Sequence, residues 1–260
     1  MFYQVEAIIR NAAQMLRNPK PMNVTTKEGH ANFVTDTDKR IQEYLGEELT
    51  RLLPGSSVFG EEKENSALGD EPTWVVDPID GTLNYMHGLG HSAISVALAI
   101  NKELQFAAIY HPYRDEMFTA QVGQGARNNG EIIRCSETPF ERALVFYGTS
   151  PYDQSLVHAT FSAAESLMLQ TADLRRMGSA ALDLAYIACG RADVFFEFSL
   201  SPWDYAAGAL LVNEAGGEFK LLGMDYPLLD FSKPAAVFAS NKPCKAPALE
   251  IIEAAFGGTN

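Results

Sequence analysis

Residues 74–85 read Trp74-Val75-Val76-Asp77-Pro78-Ile79-Asp80-Gly81-Thr82-Leu83-Asn84-Tyr85, a short apolar strand that runs directly into a turn with two carboxylates. Pro78 fixes its own φ, and a glycine after Asp80 allows a tight turn before a helix. Asp77 and Asp80 can therefore converge on one point beside the free N–H groups of a helix start. Ligands for a hard cation beside an anion site are what metal-assisted phosphate hydrolysis requires.

Taken alone, this pattern also fits a plain turn followed by a helix cap, so other acidic segments decide its meaning. Glu61 and Glu62 follow a glycine after a predicted strand at 57–59, although paired glutamates in this context also occur on solvated surfaces. Asp204 begins a predicted helix, where an aspartate is commonly a cap. The neighbouring Trp203 and the small residues that follow Asp204 indicate that it is held in a packed position.

Composition narrows the class of protein. The chain has 260 residues, of which 47% are apolar and 20% charged, as in a soluble globular protein with a sizeable core. The net charge of −13 offers no counterion release on DNA or RNA, so no nucleic-acid partner is expected. Cys135, Cys189 and Cys244 form no CxxC pair, which favours reduced thiols over a disulfide framework or a zinc site.

No membrane association is expected from the sequence. The N-terminus lacks the basic start, apolar block and cleavage site of a signal peptide. The chain also contains no run of about 18 apolar residues, the length that crosses a bilayer. Together with the cysteine pattern, these features predict a cytoplasmic protein.

Hydrophobic periodicity predicts the elements of the first half. Apolar residues at helical spacing predict helices over 3–17 and 38–53, the second capped by Thr37, with a flexible loop or loose hairpin at 22–35 between them. Strands are predicted at 57–59 and 73–76, followed by an antiparallel meander over 92–101, 104–111 and 115–121.

The second half alternates strands with helices, which is typical of a layered α/β arrangement. Its predicted strands are 143–148, 174–176, 192–196, 217–221 and 236–240, and its predicted helices are 153–169, 179–189, 203–215 and 246–255. We therefore expect an α+β half with an antiparallel sheet at 1–142 and a mixed α/β half at 143–260, joined as a single compact unit.

These motifs together resemble the inositol monophosphatase family over nearly the whole chain. The matching segments, in chain order, are 32–38, 59–62, 74–85, 178–181, 190–193 and 203–204. The order and spacing of so many separate motifs argue against chance agreement. The resemblance implies the αβαβα sandwich of the sugar-phosphatase fold and a magnesium-dependent, lithium-sensitive phosphatase that forms a homodimer.

The resemblance also implies ligands for two to three magnesium ions. Glu61, Asp77 and the backbone carbonyl of Ile79 would hold the first ion, and Asp77, Asp80 and Asp204 the second. A third, weaker ion would lean on Glu61 and waters. Such a set of hard oxygen ligands suits magnesium and agrees with the lack of a Cys/His cluster.

Catalytic and substrate roles follow from the same resemblance. Asp38 and Thr82 would orient and help deprotonate a metal-bound water near Glu61, with no covalent phosphoenzyme. The implied substrate contacts are Asp80, Gly81, Thr82, Arg176, Ser179, Ala180, Glu197 and Asp204. Lys27 would lie on a mobile loop near the third ion, although a solvated loop lysine fits equally well. Asn32 replaces an aspartate that is common in the family, which leaves the details of this loop open.

Glu197 bears on the choice of substrate. A carboxylate can accept hydrogen bonds from vicinal hydroxyls, and family members specific for inositol phosphates have a glutamate at this position. A surface charge at a strand end is the plain alternative. We therefore expect myo-inositol monophosphate as the substrate, with a sugar-bisphosphate phosphatase acting on fructose 1,6-bisphosphate as the runner-up. Histidinol phosphate, NADP, adenosine 3′,5′-bisphosphate and a regulatory, protein-binding role remain open alternatives.

Overall fold

The structure, a computed structural model, describes residues 1–17, 24–26, 33–62, 70–224 and 234–257. The helices are α1 Phe2–Ala12, α2 Gln14–Arg17, α3 Asp36–Leu52, α4 Thr82–Met86, α5 Val157–Met168, α6 Ala180–Ala188, α7 Pro202–Glu214 and α8 Lys245–Gly257. The strands are β1 Val24–Thr26, β2 Phe33–Thr35, β3 Ser57–Gly60, β4 Thr73–Asp80, β5 Ala93–Ile100, β6 Glu103–His111, β7 Glu116–Gln121, β8 Gly125–Asn128, β9 Glu131–Ile133, β10 Leu144–Tyr147, β11 Asp173–Arg175, β12 Val194–Leu200, β13 Glu218–Leu221 and β14 Ala235–Ser240.

The first half is built on a seven-stranded sheet in the order β3-β4-β5-β6-β7-β8-β9. The predicted meander is confirmed, because β5, β6 and β7 pair antiparallel with their neighbours along the chain. The first pair, β3 with β4, is parallel, so the sheet is antiparallel except at this edge. Ahead of the sheet, β1 and β2 pair antiparallel, which supports the hairpin among the two alternatives for 22–35.

The second half carries a five-stranded sheet in the order β11-β10-β12-β14-β13. β10 pairs parallel with both β11 and β12, whereas β14 pairs antiparallel with both β12 and β13. This is the mixed sheet that alternating strands and helices predict.

Alternating side chains of β4 show how the layers form. Trp74 and Val76 point into a core with α1 and α3, whereas Val75 points to the opposite face, into a core that contains α6 and α7. Phe195 of β12 reaches the same central core from the second sheet, and its neighbour Phe196 faces α5 and α8 on the outside. The layers are helices, sheet, helices, sheet and helices, which confirms the predicted αβαβα sandwich. The boundary near residue 142 stays a prediction.

One predicted cap is wrong. Thr35, not Thr37, is the N-cap of α3: its backbone is extended and its side chain accepts from the N–H groups of Thr37 and Asp38. Asp38 at the third helical position completes a capping box, because its Oδ2 accepts from the Thr35 N–H at 2.8 Å. Thr35 is the cap because it lies three residues before Asp38, whose carboxylate can accept a hydrogen bond in return.

In the part of the chain that the structure describes, no helix combines the length and apolar character that a bilayer span needs. Lys27 and Asn32 lie outside the described residues.

Two helical glycines make a matched test of the central core. A Cβ at Gly208 in α7 would lie 2.4 Å from Cδ1 of Leu184 in α6, whereas a Cβ at Gly46 in α3 would meet only Val58 Cγ2, at 4.0 Å. We expect Gly208→Ala to lower the free energy of unfolding by about 1–3 kcal/mol through overpacking. Gly46→Ala should raise it by about 0.5–1 kcal/mol through helix propensity.

Denaturant unfolding of both variants against the parent chain measures these changes. Equal effects of the two substitutions would contradict the close approach of α6 and α7.

Candidate active site

The end of β4 brings Asp77 and Asp80 to one point through a β-bulge. Asp77 pairs with Ser95 of β5 and Asp80 with Ala93, so two residues of β4 lie opposite one residue of β5 between these pairs. In a regular strand, the side chains of residues three apart point to opposite faces. The extra residue in the bulge allows the side chains of Asp77 and Asp80 to point to the same side. Pro78, which has no N–H to donate, lies within the bulge. Gly81 follows with a φ of 85°, a backbone conformation that favours glycine, and starts α4.

The start of α6 holds Asp80 from the other half of the chain. Asp80 Oδ2 accepts a hydrogen bond from the Ser179 hydroxyl and a second from the Ala181 N–H, at 2.8 Å. A Cβ at Gly81 would lie 3.0 Å from the Gly178 carbonyl oxygen, so the turn after β4 packs directly on the turn before α6. The carboxylate thereby also occupies the positive end of the α6 dipole.

Asp204 reaches the same point from the start of α7. It is the third residue of that helix, and its Oδ2 accepts from the Ser201 N–H at 2.8 Å in a capping box. Pro202, as the first helical residue, needs no hydrogen-bond partner for its nitrogen. The reading of Asp204 as a simple cap is therefore partly right, because its other oxygen is left for the site.

These three aspartates form a candidate metal centre. One carboxylate oxygen from each of Asp77, Asp80 and Asp204 lies within 4.8 Å of the others. Burial and the neighbouring charges of Glu61 and Asp80 hold the pKa of Asp77 well above its usual range. Burial, then Asp80 and Glu61, raises the pKa of Asp204 in the same way. A divalent cation would remove this repulsion, so the residues present fit magnesium.

The other predicted metal ligands lie nearby. Glu61 follows β3, lines the same cavity, and its N–H donates to the Val76 carbonyl, but its carboxylate is not one of the 4.8 Å group. The Ile79 carbonyl accepts from the Thr82 hydroxyl at 2.9 Å. The predicted role of Lys27 falls outside the described residues.

Asp38 and Thr82 meet beside this centre. The Thr82 hydroxyl lies 3.3 Å from Asp38 Oδ1. The other oxygen of Asp38 is held by the backbone N–H and hydroxyl of Thr35. Burial raises the pKa of Asp38, although the hydrogen bonds from Thr35 oppose this. The capping box of α3 thus fixes a buried carboxyl group against the threonine at the start of α4.

One cavity of about 290 Å³ contains the predicted substrate contacts. Residues of β4, α4, α6, β12 and α7 line it, including Asp80, Gly81, Thr82, Arg176, Ser179, Ala180, Glu197 and Asp204. Asp38 does not line it and reaches it only through Thr82. The volume is at the small end of ligand pockets, which suits a compact phosphate ester.

Glu197 lies at the end of the cavity formed by β12. Its Oε1 accepts from the Ser150 N–H at 2.8 Å. Its other carboxylate oxygen lies 1.8 Å from where a Cβ at Gly148 would be, so only glycine leaves space for it. Burial raises the pKa of Glu197 to about 7, against the hydrogen bonds from Ser150. The alternative of a surface charge is wrong, since only 8% of the residue is exposed.

Sequence reasoning missed several residues of the cavity. Gly148 and Ser150 position Glu197, and Tyr152 and Asp183 line the cavity. One signal was available for Asp183: it is the single charged residue of α6, whose sequence is otherwise apolar apart from a tyrosine. No local pattern distinguishes the others, because Ser150 acts on a residue 47 positions away.

Comparison with known proteins gives one family. The sequence model described as the inositol monophosphatase family matches residues 2–252. A Xylella fastidiosa protein named Nus factor SuhB is 41% identical over 213 residues, which cover 80% of this chain and 76% of that protein. An inositol monophosphatase of Dictyostelium discoideum is 40% identical over 196 residues, covering 73% of this chain and 72% of its own. The solved Thermotoga maritima IMPase has a TM-score of 0.87 at 30% identity, covering 99% of this chain and 98% of that one.

The raised carboxyl pKa values predict how the metal-free protein responds to pH. Burial raises the pKa of Asp80 to about 6 and that of Glu197 to about 7, above the values of an unfolded chain. The folded protein therefore takes up protons first as the pH falls. With a chelator present, the free energy of unfolding should increase by on the order of 4 kcal/mol from pH 8 to pH 5. Magnesium should raise the free energy of unfolding most at pH 8, where the carboxyl groups are charged.

Thermal unfolding at several pH values, with chelator and with magnesium, tests this. Because acidification relieves repulsion in any protein of net charge −13, Asp70→Asn, at an exposed site, serves as the control. Asp80→Asn should flatten the pH dependence more than Asp70→Asn does. An equal slope in the two variants would contradict the buried cluster as its source.

Proposed function

The chain belongs to the inositol monophosphatase family and is a phosphatase, and from this premise we propose that it uses magnesium to hydrolyse myo-inositol monophosphate to inositol and phosphate. The observation that carries the proposal is that one cavity is lined by both the aspartate cluster and Glu197. The aspartate cluster suits a phosphate with its metal ions, and Glu197 suits the hydroxyls of a polyol.

Asp77, Asp80 and Asp204 would hold the magnesium ions together with Glu61 and the Ile79 carbonyl. Magnesium held there would supply Lewis-acid chemistry, by lowering the pKa of a water and neutralising charge on phosphoryl oxygens. Our proposal of two to three ions rests on the family, since the structure itself supports only that the cluster can hold metal.

Thr82 and Asp38 would orient the attacking water. Thr82 has one hydroxyl hydrogen and two acceptors, Ile79 O at 2.9 Å and Asp38 Oδ1 at 3.3 Å. If Ile79 O served as a metal ligand, the Thr82 hydroxyl hydrogen would be directed to Asp38 Oδ1 instead. A lone pair of Thr82 Oγ1 would then accept a hydrogen bond from the attacking water, whose oxygen is directed at phosphorus. As the water proton passes to Thr82 Oγ1, the hydroxyl proton of Thr82 would pass to the Asp38 carboxylate.

The phosphoryl and leaving groups would be held by the two halves together. The backbone N–H groups of Gly81 and Thr82 would bind phosphoryl oxygens. Arg176, which lies beside the cavity and donates to Thr149 Oγ1 at 3.3 Å, adds positive charge there. Ser179 and Ala180 line the same cavity as Glu197, and the ring of the substrate would lie against them.

Substrates other than inositol phosphate stay within the proposal as alternatives. Phosphate release is measured from inositol 1-phosphate, fructose 1,6-bisphosphate, histidinol phosphate, NADP and adenosine 3′,5′-bisphosphate, with magnesium and with a chelator. We expect magnesium-dependent release that is fastest from inositol 1-phosphate. Preference for a bisphosphate would change the substrate that we assign but would still support a magnesium-dependent phosphatase. We further propose a cytoplasmic homodimer inhibited by lithium, and full activity in millimolar lithium would contradict the last point.

A regulatory role is the second candidate, and one observation favours it. The relative from Xylella fastidiosa carries the name Nus factor, which denotes a role other than hydrolysis. The aspartate cluster and Glu197 are both present in this chain, which favours retained catalysis over a purely regulatory protein. Folded protein that is stabilised by magnesium yet releases phosphate from no compound would favour the regulatory role.

Thr82→Val tests the proposed positioning of the water. The substitution keeps the shape of the side chain and removes the hydroxyl, so kcat should fall by about 10²–10⁴-fold. Asp38→Asn should have an effect of similar size, because the two groups act as a unit. Thr171→Val is the matched control: its hydroxyl donates to the Leu167 carbonyl of α5 at 2.8 Å, away from the cavity.

Steady-state kinetics with saturating magnesium measures these effects, and thermal unfolding shows that the variants are folded. Retention of more than half of kcat in Thr82→Val would contradict the proposed role.

A further inference from the structure

Asp183 is a buried carboxyl group that the fold itself does not use. It lies on α6, whose nine residues are all buried, and only 2% of it is exposed. Its Oδ1 has no hydrogen-bond partner among the described residues. Burying a carboxyl group without a partner costs free energy, so a neutral residue of similar size would stabilise the fold better. An unsatisfied polar group of this kind requires an explanation outside the fold.

The position of Asp183 explains why a buried carboxyl group is kept there, because it lines the same cavity as the aspartate cluster. Asp183 follows Ser179 by one helical turn, and its backbone N–H donates to the Ser179 carbonyl at 2.9 Å. The charges that act on its carboxyl group are those of Asp80, Glu197 and Arg176. Asp183 therefore shares this cavity with both Glu197 and Asp80.

The other acids of the cavity accept hydrogen bonds, whereas Oδ1 of Asp183 accepts none from the residues that the structure describes. Asp80 accepts from Ser179 and Ala181, Asp204 from Ser201, and Glu197 from Ser150. Burial raises the pKa of Asp183 well above its usual range. Whether protonated or charged, the group has unused hydrogen-bonding capacity beside Glu197.

We propose that Asp183 is a specificity-determining residue whose carboxyl group binds a hydroxyl of the substrate, next to the hydroxyl bound by Glu197. This inference rests on the proposed function and narrows its substrate class to phosphate monoesters of polyols with at least two free hydroxyls. A hydroxyl suits the position better than an ammonium group, because the Arg176 guanidinium already supplies positive charge to the same acids.

Two substitutions separate binding from structure. Asp183→Leu removes hydrogen bonding at similar volume, and Asp183→Asn keeps the shape and part of the hydrogen bonding. The substrates are inositol 1-phosphate, which has ring hydroxyls, p-nitrophenyl phosphate, which has none, and phosphoethanolamine, which has an ammonium group. The measured quantity is the ratio of kcat/KM for inositol 1-phosphate to kcat/KM for p-nitrophenyl phosphate.

We expect this ratio to fall about tenfold in Asp183→Leu, the effect of losing one strong hydrogen bond, and about threefold or less in Asp183→Asn. Asp173→Asn, at an exposed site on β11, is the control and should leave the ratio unchanged. An unchanged ratio in Asp183→Leu would overturn the inference, since activity on both substrates would then fall together or not at all. A larger loss on phosphoethanolamine than on inositol 1-phosphate would assign an ammonium site and also overturn it.

A second measurement needs no turnover. With magnesium and inorganic phosphate present, myo-inositol should raise the Tm of the parent protein and leave that of Asp183→Leu unchanged. In a chelator at pH 8, Asp183→Asn should have a Tm equal to or above that of the parent. A clearly lower Tm would mean that the carboxyl group has a structural partner, which would overturn the inference.

The two readouts separate this inference from the proposed function. A protein that hydrolyses no polyol phosphate but shows the myo-inositol shift only with Asp183 intact would refute the function and support the binding site. A protein that hydrolyses inositol 1-phosphate with the same substrate ratio in Asp183→Leu would keep the function and refute the site.

Discussion

Repulsion between buried carboxylates is the constraint around which this molecule is arranged. Asp77, Asp80 and Asp204 place their oxygens within 4.8 Å of one another at the meeting point of β4, α6 and α7. Like charges at such a distance in a buried site disfavour their own ionisation. The fold offsets part of this cost with N–H and O–H donors at the starts of α6 and α7, and leaves the remainder for a cation.

This arrangement joins the two halves of the chain at the site. Asp80 lies at the end of the first sheet, and the residues that bind it are about one hundred positions away, at the start of α6. The turn at Gly81 packs on the backbone of Gly178, so the segments proposed to bind metal and substrate cannot shift independently. The central layer formed by α6 and α7 is thus both the core between the sheets and the support of the site.

The aspartate cluster and Glu197 differ in how they are constrained. The aspartate cluster follows from helix starts and a β-bulge, which are devices of the backbone. Glu197 depends on individual contacts, such as that of its carboxylate above Gly148 and its bond to Ser150, which has a φ of 40°. Because the contacts of Glu197 are specific to individual residues, the name of a relative does not by itself transfer its substrate to this chain.

The sequence by itself determined the elements, their layered order and the metal-binding motif. Strand and helix periods are local, so β5 to β7 and the helices of the second half were predicted nearly to their ends. The segment from Asp77 to Thr82 carried its chemistry in its residue types, although the predicted turn proved to be the bulged end of β4 followed by the start of α4. The predicted cap at Thr37 was wrong, because a reciprocal bond with Asp38 makes Thr35 the N-cap of α3. Only the tertiary structure showed that Ser150 and Gly148 hold Glu197, that Ser179 binds Asp80, and that Asp183 lines the cavity without a partner among the described residues. These contacts join residues far apart in the chain, and no local period records which side chains the packing of two sheets will bring together.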